Sequence, residues 1–314
     1  MTVRIGLVGA RGHTGRHLLR LIAGRSDMQV VCAGSREFAG QPVTSLAPEA
    51  EPELMFEALT PDDVAGRTLD AVILALPNGA AAPYVAAIEA QAPGMVIVDL
   101  SADYRFDENW VYGLPEIYGR GRITHARRIA NPGCYATAGQ LAVAPVRDLI
   151  AGAAHVFGVS GYSGAGTTPS RKNDTEALSG NLMPYALTGH LHEGEMTRHL
   201  GIPVAFTPHV AAFFQGLTAT VQFEFSGPQS LEAITERYHT AYGDEPLVRL
   251  TDTIPEIRDG AHFNGAVLGG FAVSKEGLRG VAVCALDNLL KGAAVQAVQN
   301  LAIALGRPEF DGLT

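Results

Sequence analysis

Three short segments of this 314-residue chain have residue types and spacings that suit chemistry. They are a glycine turn near the N-terminus, a cysteine in Asn131-Pro132-Gly133-Cys134-Tyr135, and the histidine-rich string His190-Leu191-His192-Glu193-Gly194-Glu195. A dinucleotide site, a thiol nucleophile and an acid/base group together would support hydride transfer through an acyl-cysteine.

Cys134 stands where a predicted turn meets a predicted helix. Residues 128–130 are typical of a strand, 131–133 of a turn, and those from 134 onward of a helix. A thiol at a helix N-terminus meets unsatisfied N–H groups and the positive end of the dipole, which favour the thiolate. Cys32 and Cys284 lie in apolar, strand-like runs and are expected to be packing residues. Cys134 is therefore the predicted nucleophile.

The glycine turn follows one predicted strand and precedes a predicted helix. Its glycines are Gly9, Gly12 and Gly15, with Arg11, His13 and Thr14 between them. This context predicts a pyrophosphate held at the helix N-terminus. At the end of the next strand, Ser35 and Arg36 suit a 2′-phosphate and favour NADP, whereas Glu37 is the residue type that NAD sites use.

The histidine string offers an acid/base group. His192 precedes Glu195 by three residues, which places both on one helical face and lets the carboxylate orient the imidazole. His190 is the alternative acid/base. Two histidines and a carboxylate are also adequate metal ligands. We expect no metal, because Cys134 gives the histidines a role without one.

Polar residues also follow two other predicted strands. Ser101 and Arg105 lie at a carboxyl edge, where open α/β sheets bind ligands, although a solvated surface role suits Arg105 equally well. A second glycine-rich loop begins at Ser160 and is expected to be an irregular segment from 161 to about 181. We expect the substrate to contact Arg105, Asn131 and Ser160, and the cofactor to contact Ser101, Ser163 and Gly164.

The elements that must position these groups follow from periodicity. Apolar strand-length runs alternate with helices in the first part of the chain, which predicts a parallel sheet covered on both faces. Later strand candidates have few helices between them, which is typical of a mixed sheet. The predicted fold is α/β: a Rossmann-type doubly wound parallel sheet, formed by residues 1–135 with a last helix in 289–314, plus an α+β substrate and dimerisation domain, residues 136–288.

Composition excludes several classes of function. The net charge of −9 argues against a nucleic-acid or anionic-membrane binder. No run approaches the roughly 20 apolar residues of a membrane span, and the strand at the N-terminus leaves no room for a signal peptide. Three cysteines without close spacing indicate a reducing, cytoplasmic setting.

The segments described above resemble the N-acetyl-gamma-glutamyl-phosphate reductase family, within the aspartate-semialdehyde dehydrogenase superfamily. Further matching strings are Phe206-Thr207-Pro208-His209 and Asp287-Asn288-Leu289-Leu290-Lys291-Gly292. The resemblance implies NADPH-dependent reduction of N-acetyl-glutamyl 5-phosphate to the semialdehyde with release of phosphate, in arginine biosynthesis. It implies Cys134 as nucleophile, His192 as acid/base, Asn288 near the nicotinamide and Arg105 near the phosphate. Residues 167–173 do not map onto the family's substrate contacts.

Other functions remain open on sequence alone. A relative acting on an N-acyl-aminoadipyl phosphate, for lysine synthesis, would differ by one methylene, which pocket contacts discriminate weakly. In a cysteine acyl hydrolase or transferase, Cys134 and His192 would act without a cofactor. In a non-catalytic nucleotide sensor, the glycine turn would bind a nucleotide and Cys134 would be unreactive. We expect a small-molecule substrate and a homo-oligomer, either a dimer or a tetramer.

Overall fold

The chain, seen in a computed structural model that describes residues 2–314, consists of two units. One comprises the chain up to Pro132 together with Ala293–Thr314, and the other is Gly133–Gly292. Each unit has its own seven-stranded sheet.

The first unit contains a wholly parallel sheet. Its strands are β1 (Val3–Val8), β2 (Met28–Gly34), β3 (Phe56–Glu57), β4 (Ala71–Leu74), β5 (Val96–Asp99), β6 (Val111–Tyr112) and β7 (Arg128–Ala130). They lie in the order β3-β2-β1-β4-β5-β7-β6 with every pairing parallel. The order reverses between β1 and β4, which is the switch point where such sheets bind ligands beyond their carboxyl ends.

Helices connect these strands. They are α1 (His13–Ala23), α2 (Pro61–Ala65), α3 (Ala82–Gln91) and α4 (Pro115–Tyr118). α1 buries Leu18, Leu19 and Ile22, so the glycine turn leads directly into a helix anchored by its apolar face.

The second unit contains a mixed sheet. Its strands are β8 (Ala154–Gly161), β9 (Leu182–Pro184), β10 (Val204–Ala211), β11 (Leu217–Glu224), β12 (Val248–Leu250), β13 (Ala266–Val273) and β14 (Arg279–Leu286), in the order β12-β13-β14-β11-β8-β10-β9. Its helices are α5 (Cys134–Val143), α6 (Thr175–Leu178), α7 (Leu191–Leu200), α8 (Leu231–Tyr242) and α9 (Ile257–Gly260). α5 and α7 pack on the sheet, since α5 contacts β11 and β14, and α7 contacts β10.

After β14 the chain forms a π-helical turn, Leu290–Ala294, and then α10 (Val295–Ala304), which packs against α1 and β5 of the first unit. Two expectations need correction here. The last helix is α-helical only from Val295. The segment from 161 to 181 is not wholly irregular, because it contains the 3₁₀ turn Tyr162–Ala165 and α6. Other 3₁₀ turns are Val43–Ser45, Arg120–Arg122 and Ala144–Leu149.

Candidate active site

Cys134 is the first residue of α5, where the sequence predicts a helix to begin. It is half-buried, whereas residues 135–143 of the same helix are all buried. Gly133 is the N-cap and has no side chain to cap the helix. The thiol therefore lies beside first-turn N–H groups that have no acceptor within the helix, and these stabilise a thiolate. Cys32 and Cys284 are fully buried, as expected.

Glu195 holds the turn before the cysteine. Its side chain is fully buried, and its Oε1 accepts a hydrogen bond of 2.9 Å from the N–H of Gly133. The backbone carbonyl of Gly133 in turn accepts from the N–H and the hydroxyl of Thr137, at 2.8 and 3.0 Å. Sequence spacing assigns Glu195 to orienting His192. In the structure this carboxylate fixes the backbone that presents Cys134, and its role toward His192 stays a prediction.

The two histidines lie at the start of α7. His190 is its N-cap, and the His190 Nδ1 accepts from the N–H of His192 at 3.1 Å. Their ring centroids are 4.7 Å apart. The His192 ring lies 6.1 Å from that of Tyr135, the residue after the cysteine. The structure thus brings Cys134, His190, His192 and Glu195 into one part of the second unit.

Two tyrosines complete this part of the site. The Tyr135 hydroxyl donates to the backbone carbonyl of His209 at 2.6 Å, and the Tyr185 ring lies 5.8 Å from that of His190. Burial is the main cause that raises the pKa of both tyrosines, and the charge of Cys134 nearby raises each pKa further. Both hydroxyls therefore stay protonated near neutral pH.

The glycine-rich loop after β8 packs against Asn288. The Asn288 Nδ2 donates to the Ser163 hydroxyl at 2.9 Å, and its Oδ1 accepts from the N–H of Gly216 at 2.8 Å. A Cβ on Gly164 would lie 3.2 Å from the Ser160 Oγ and 3.6 Å from the Asn288 Nδ2. The structure therefore brings together four residues that the sequence assigns to the ligands: Ser160, Ser163, Gly164 and Asn288.

Gly292, in the π-helical turn, lies directly against the cysteine. A Cβ on Gly292 would lie 2.6 Å from the Cys134 Cβ and 3.2 Å from its Cα. The Gly292 N–H donates to the backbone carbonyl of Asp287 at 2.9 Å. The close approach of this backbone to Cys134 therefore requires a residue without a side chain.

In the first unit, the glycine turn fits a dinucleotide phosphate. Gly9 has a φ of +87°, and a Cβ there would lie 2.1 Å from the carbonyl oxygen of Ala75. A Cβ on Gly15 would lie 2.5 Å from the carbonyl oxygen of Ala10. Gly12 is the N-cap of α1, which has no side-chain cap, and a Cβ there would make ordinary contact with the Gly9 carbonyl oxygen at 3.5 Å. The first-turn N–H groups of α1, which no side chain caps, suit an anion.

Charged residues surround this turn. Arg11 forms an ion pair of 2.7 Å with Glu37, the acidic residue of the type that NAD sites use. The Glu37 carboxylate is therefore engaged by a side chain of the glycine turn. Arg36 is exposed, and Ser35 is half-buried. Burial, followed by the nearby charges of Arg16 and Arg11, lowers the pKa of His13, so the positive charge of the turn at neutral pH comes from arginines.

Three residues that the sequence assigns to ligands have internal contacts. The Ser101 hydroxyl donates to the buried Asp99 carboxylate at 2.6 Å. Arg105 is 7% exposed, and its Nε and Nη2 donate to the backbone carbonyls of Asn131 and Leu100 at 2.9 and 2.8 Å. The Asn131 side chain donates to the Ala293 carbonyl at 3.2 Å and accepts from Asn300 at 3.0 Å. These hydrogen bonds of the three side chains are thus internal to the protein, and the roles of the side chains toward the ligands stay predictions.

Comparison with known proteins identifies the family. The profile "Semialdehyde dehydrogenase, NAD binding domain" matches residues 4–126, and "Semialdehyde dehydrogenase, dimerisation domain" matches residues 134–288. The N-acetyl-gamma-glutamyl-phosphate reductase of Stenotrophomonas maltophilia is 54% identical over 99% of this chain and 98% of that protein. That of Xanthomonas campestris pv. campestris is 52% identical over 100% of both. The chain belongs to the N-acetyl-gamma-glutamyl-phosphate reductase family.

Solved structures of other proteins share the fold. Aspartate semialdehyde dehydrogenase II of Vibrio cholerae, complexed with ASA, has a TM-score of 0.79 at 16% identity, covering 98% of this chain and 99% of that one. The Candida albicans aspartate semialdehyde dehydrogenase with NADP has a TM-score of 0.74 at 15% identity, with the same coverage. The predicted combination of a Rossmann-type sheet with a mixed sheet is confirmed.

Two residues of this reductase-family site were missed in the sequence. Gly292 interrupts a predicted helix, where an isolated glycine is typical of a packing constraint. Tyr185 follows β9, a three-residue strand without a motif. Within residues 2–314, no helix is long and apolar enough to cross a membrane, and no three His, Cys, Asp or Glu residues group closely enough to hold a metal ion.

Proposed function

We propose that the chain reduces N-acetyl-L-glutamyl 5-phosphate to N-acetyl-L-glutamate 5-semialdehyde with NADPH and releases phosphate, a step of arginine biosynthesis. The observation that carries this is the half-buried Cys134 at the start of α5, in a chain 52–54% identical to reductases of that name. Activity requires a reduced thiol, and all three cysteines are free, which supports a cytoplasmic setting.

The cysteine carries the acyl group. The Cys134 thiolate attacks the acyl carbon, the bond from that carbon to the phosphate oxygen breaks, and a thioester remains. A thioester accepts hydride well because sulfur donates little electron density into the carbonyl. NADPH, when bound, supplies the hydride. The carbon–sulfur bond then breaks, which releases the semialdehyde and restores the thiolate.

His192 moves the proton. It gives a proton to the substrate oxygen as that oxygen gains charge, and takes it back as the carbon–sulfur bond breaks. We assign this role to His192 because the Nδ1 of His190 is engaged as the cap of α7, whereas the His192 ring neighbours Tyr135 beside the cysteine.

The first unit would hold NADP. The backbone of Gly9–Gly15 would take the pyrophosphate, because the first-turn N–H groups of α1 have no side-chain cap. Arg11, Ser35 and Arg36 supply donors suited to a 2′-phosphate. The ion pair between Arg11 and Glu37 reduces the repulsion between the Glu37 carboxylate and that phosphate.

The open face of the second sheet would form a homo-oligomer, in keeping with the dimerisation-domain profile. Paired residues of β8, β10 and β11 line this face, and Phe157 at its centre is 44% exposed. Phe157 pairs with Thr207 and Thr220, and its ring lies 4.4 Å from that of His209. An exposed aromatic side chain in a row of paired strands is typical of a contact surface.

The reverse assay tests this function. The protein is mixed with N-acetylglutamate semialdehyde, phosphate and either NADP or NAD, and the absorbance of the reduced cofactor is followed. We expect phosphate-dependent reduction that is faster with NADP, and a lower kcat/KM for the semialdehyde that is one carbon longer. Absence of turnover, or turnover that ignores phosphate, would refute the proposal.

A further inference from the structure

Lys172 lies in the segment that the family motifs leave unexplained. Its Nζ sits 4.9 Å from the centroid of the Tyr185 ring, a cation–π contact. Among the described residues 2–314, no carboxylate forms an ion pair with Lys172. An aromatic ring restrains an ammonium group without neutralising it, so the positive charge stays available to an anion.

The loop that carries Lys172 is held by its neighbour. The Asn173 Nδ2 donates to the backbone carbonyls of Gly166 and Thr168 at 3.0 and 2.8 Å. The Asn173 Oδ1 accepts from the N–H of Ser170 at 2.8 Å. These hydrogen bonds fix the backbone of the loop immediately before α6. The backbone position from which the Lys172 side chain extends is therefore defined.

Tyr185 connects this lysine to the reacting groups. Its ring lies 5.8 Å from that of His190, and its hydroxyl interacts with that of Tyr135, the residue after Cys134. Burial, and after it the charge of Cys134, raises the pKa of Tyr185. The ammonium of Lys172 therefore lies over the ring of Tyr185, which neighbours His190 in the cysteine site.

The reaction needs a cation near the cysteine. The departing phosphate is bonded to the carbon that the sulfur attacks, and the net charge of −9 repels it. Arg105, which the sequence assigns to this group, is buried and donates to backbone carbonyls. Lys291 is fully buried, whereas Lys172 is half-buried.

We propose that Lys172 binds the phosphate group of the acyl phosphate, and inorganic phosphate in the reverse reaction. This inference rests on the proposed function and adds a specific residue to it. A lysine suits the role because its ammonium is a compact point charge that can follow the phosphate as it leaves.

The test is steady-state kinetics of the reverse assay with Lys172→Gln, Lys172→Arg and, as matched control, Arg171→Gln, the exposed neighbour. We expect Lys172→Gln to raise the KM for phosphate roughly tenfold or more and to leave the KM for the semialdehyde unchanged. Lys172→Arg should recover part of the loss, and Arg171→Gln should resemble the wild type.

Two results would overturn the inference. One is an unchanged KM for phosphate in Lys172→Gln. The other is a rise confined to the KM for the semialdehyde, which would assign Lys172 to a substrate carboxylate. Failure of the proposed function is distinct, because the wild-type protein would then show no phosphate-dependent turnover. NADPH binding by each variant, measured by fluorescence, verifies that the protein is folded.

Discussion

Cys134 is positioned by contacts that come from distant parts of the sequence. The motif around the residue predicts the helix start and the nucleophile. The bond from the Gly133 N–H to Glu195 spans 62 positions and leaves no local pattern. Spacing suggested a partner for Glu195 three residues away, because local spacing is what a single sequence displays. The position of Cys134 at the start of a helix was predictable, and the groups that hold it there were not.

The acid/base assignment predicts different losses for the two histidines. His192→Asn should lower kcat by about 10²- to 10⁴-fold, because proton transfer is lost. His190→Asn keeps an oxygen that can accept at the N-cap of α7 and should retain most activity. Rates are measured in the reverse assay. A larger loss for His190→Asn would transfer the role to that residue.

The proposed preference for NADP is expected to depend on Arg36. Arg36→Ala should weaken NADP(H) binding by about tenfold or more while NAD(H) binding changes little, because only NADP carries the 2′-phosphate. Arg20→Ala, on the helix after the turn, is the control. Dissociation constants come from fluorescence titration. Equal weakening of both cofactors would contradict the 2′-phosphate assignment.

At the scale of elements, the glycine turn and α5 were predictable, and the π-helical turn was not. The apolar run after Asn288 reads as one helix, since side-chain periodicity does not distinguish a bond to the fifth preceding residue from one to the fourth. The Gly292 N–H bonds to the carbonyl of Asp287, and this wider turn brings a backbone without a side chain against Cys134.

Gly292→Ala tests the positioning role of this turn. The added methyl would collide with the Cys134 Cβ, displace the thiol and lower kcat by about 10²-fold, as misplacement of a reacting group does. NADPH binding should persist. Gly94→Ala is the control, because a Cβ on Gly94 meets no atom within 4 Å. Full activity in Gly292→Ala would show that the cysteine tolerates the shift.

For the whole molecule, the alternation of strands and helices predicted the class of each sheet. The long-range pairings that complete each unit could not be read from one sequence. Asn300, near the C-terminus, donates to the carbonyl of Gly113 at 2.9 Å and to the Asn131 side chain at 3.0 Å. A Cβ on Gly113 would lie 2.2 Å from the Asn300 Nδ2, so only a glycine allows α10 to pack this closely. No local sequence pattern indicates this contact.

Assembly is predicted to depend on the open face of the second sheet. Phe157→Glu should shift the protein toward monomers, because it places a charge in the centre of that face. Analytical ultracentrifugation reports the distribution. Leu278→Glu is the control, since Leu278 is 46% exposed, outside the three strands that form the proposed contact. An unchanged oligomer in Phe157→Glu would place the contact elsewhere.

Trapping the acyl group on the cysteine tests the central claim most directly. The protein is mixed with freshly prepared N-acetylglutamyl phosphate without cofactor, quenched in acid and digested for mass spectrometry. We predict one N-acetylglutamyl group on the peptide containing Cys134, lost when NADPH is added before the quench, and none on Cys32 or Cys284, which are fully buried. Turnover of the substrate by the wild-type protein with Cys134 unmodified throughout, or by Cys134→Ser at the wild-type rate, would contradict the account.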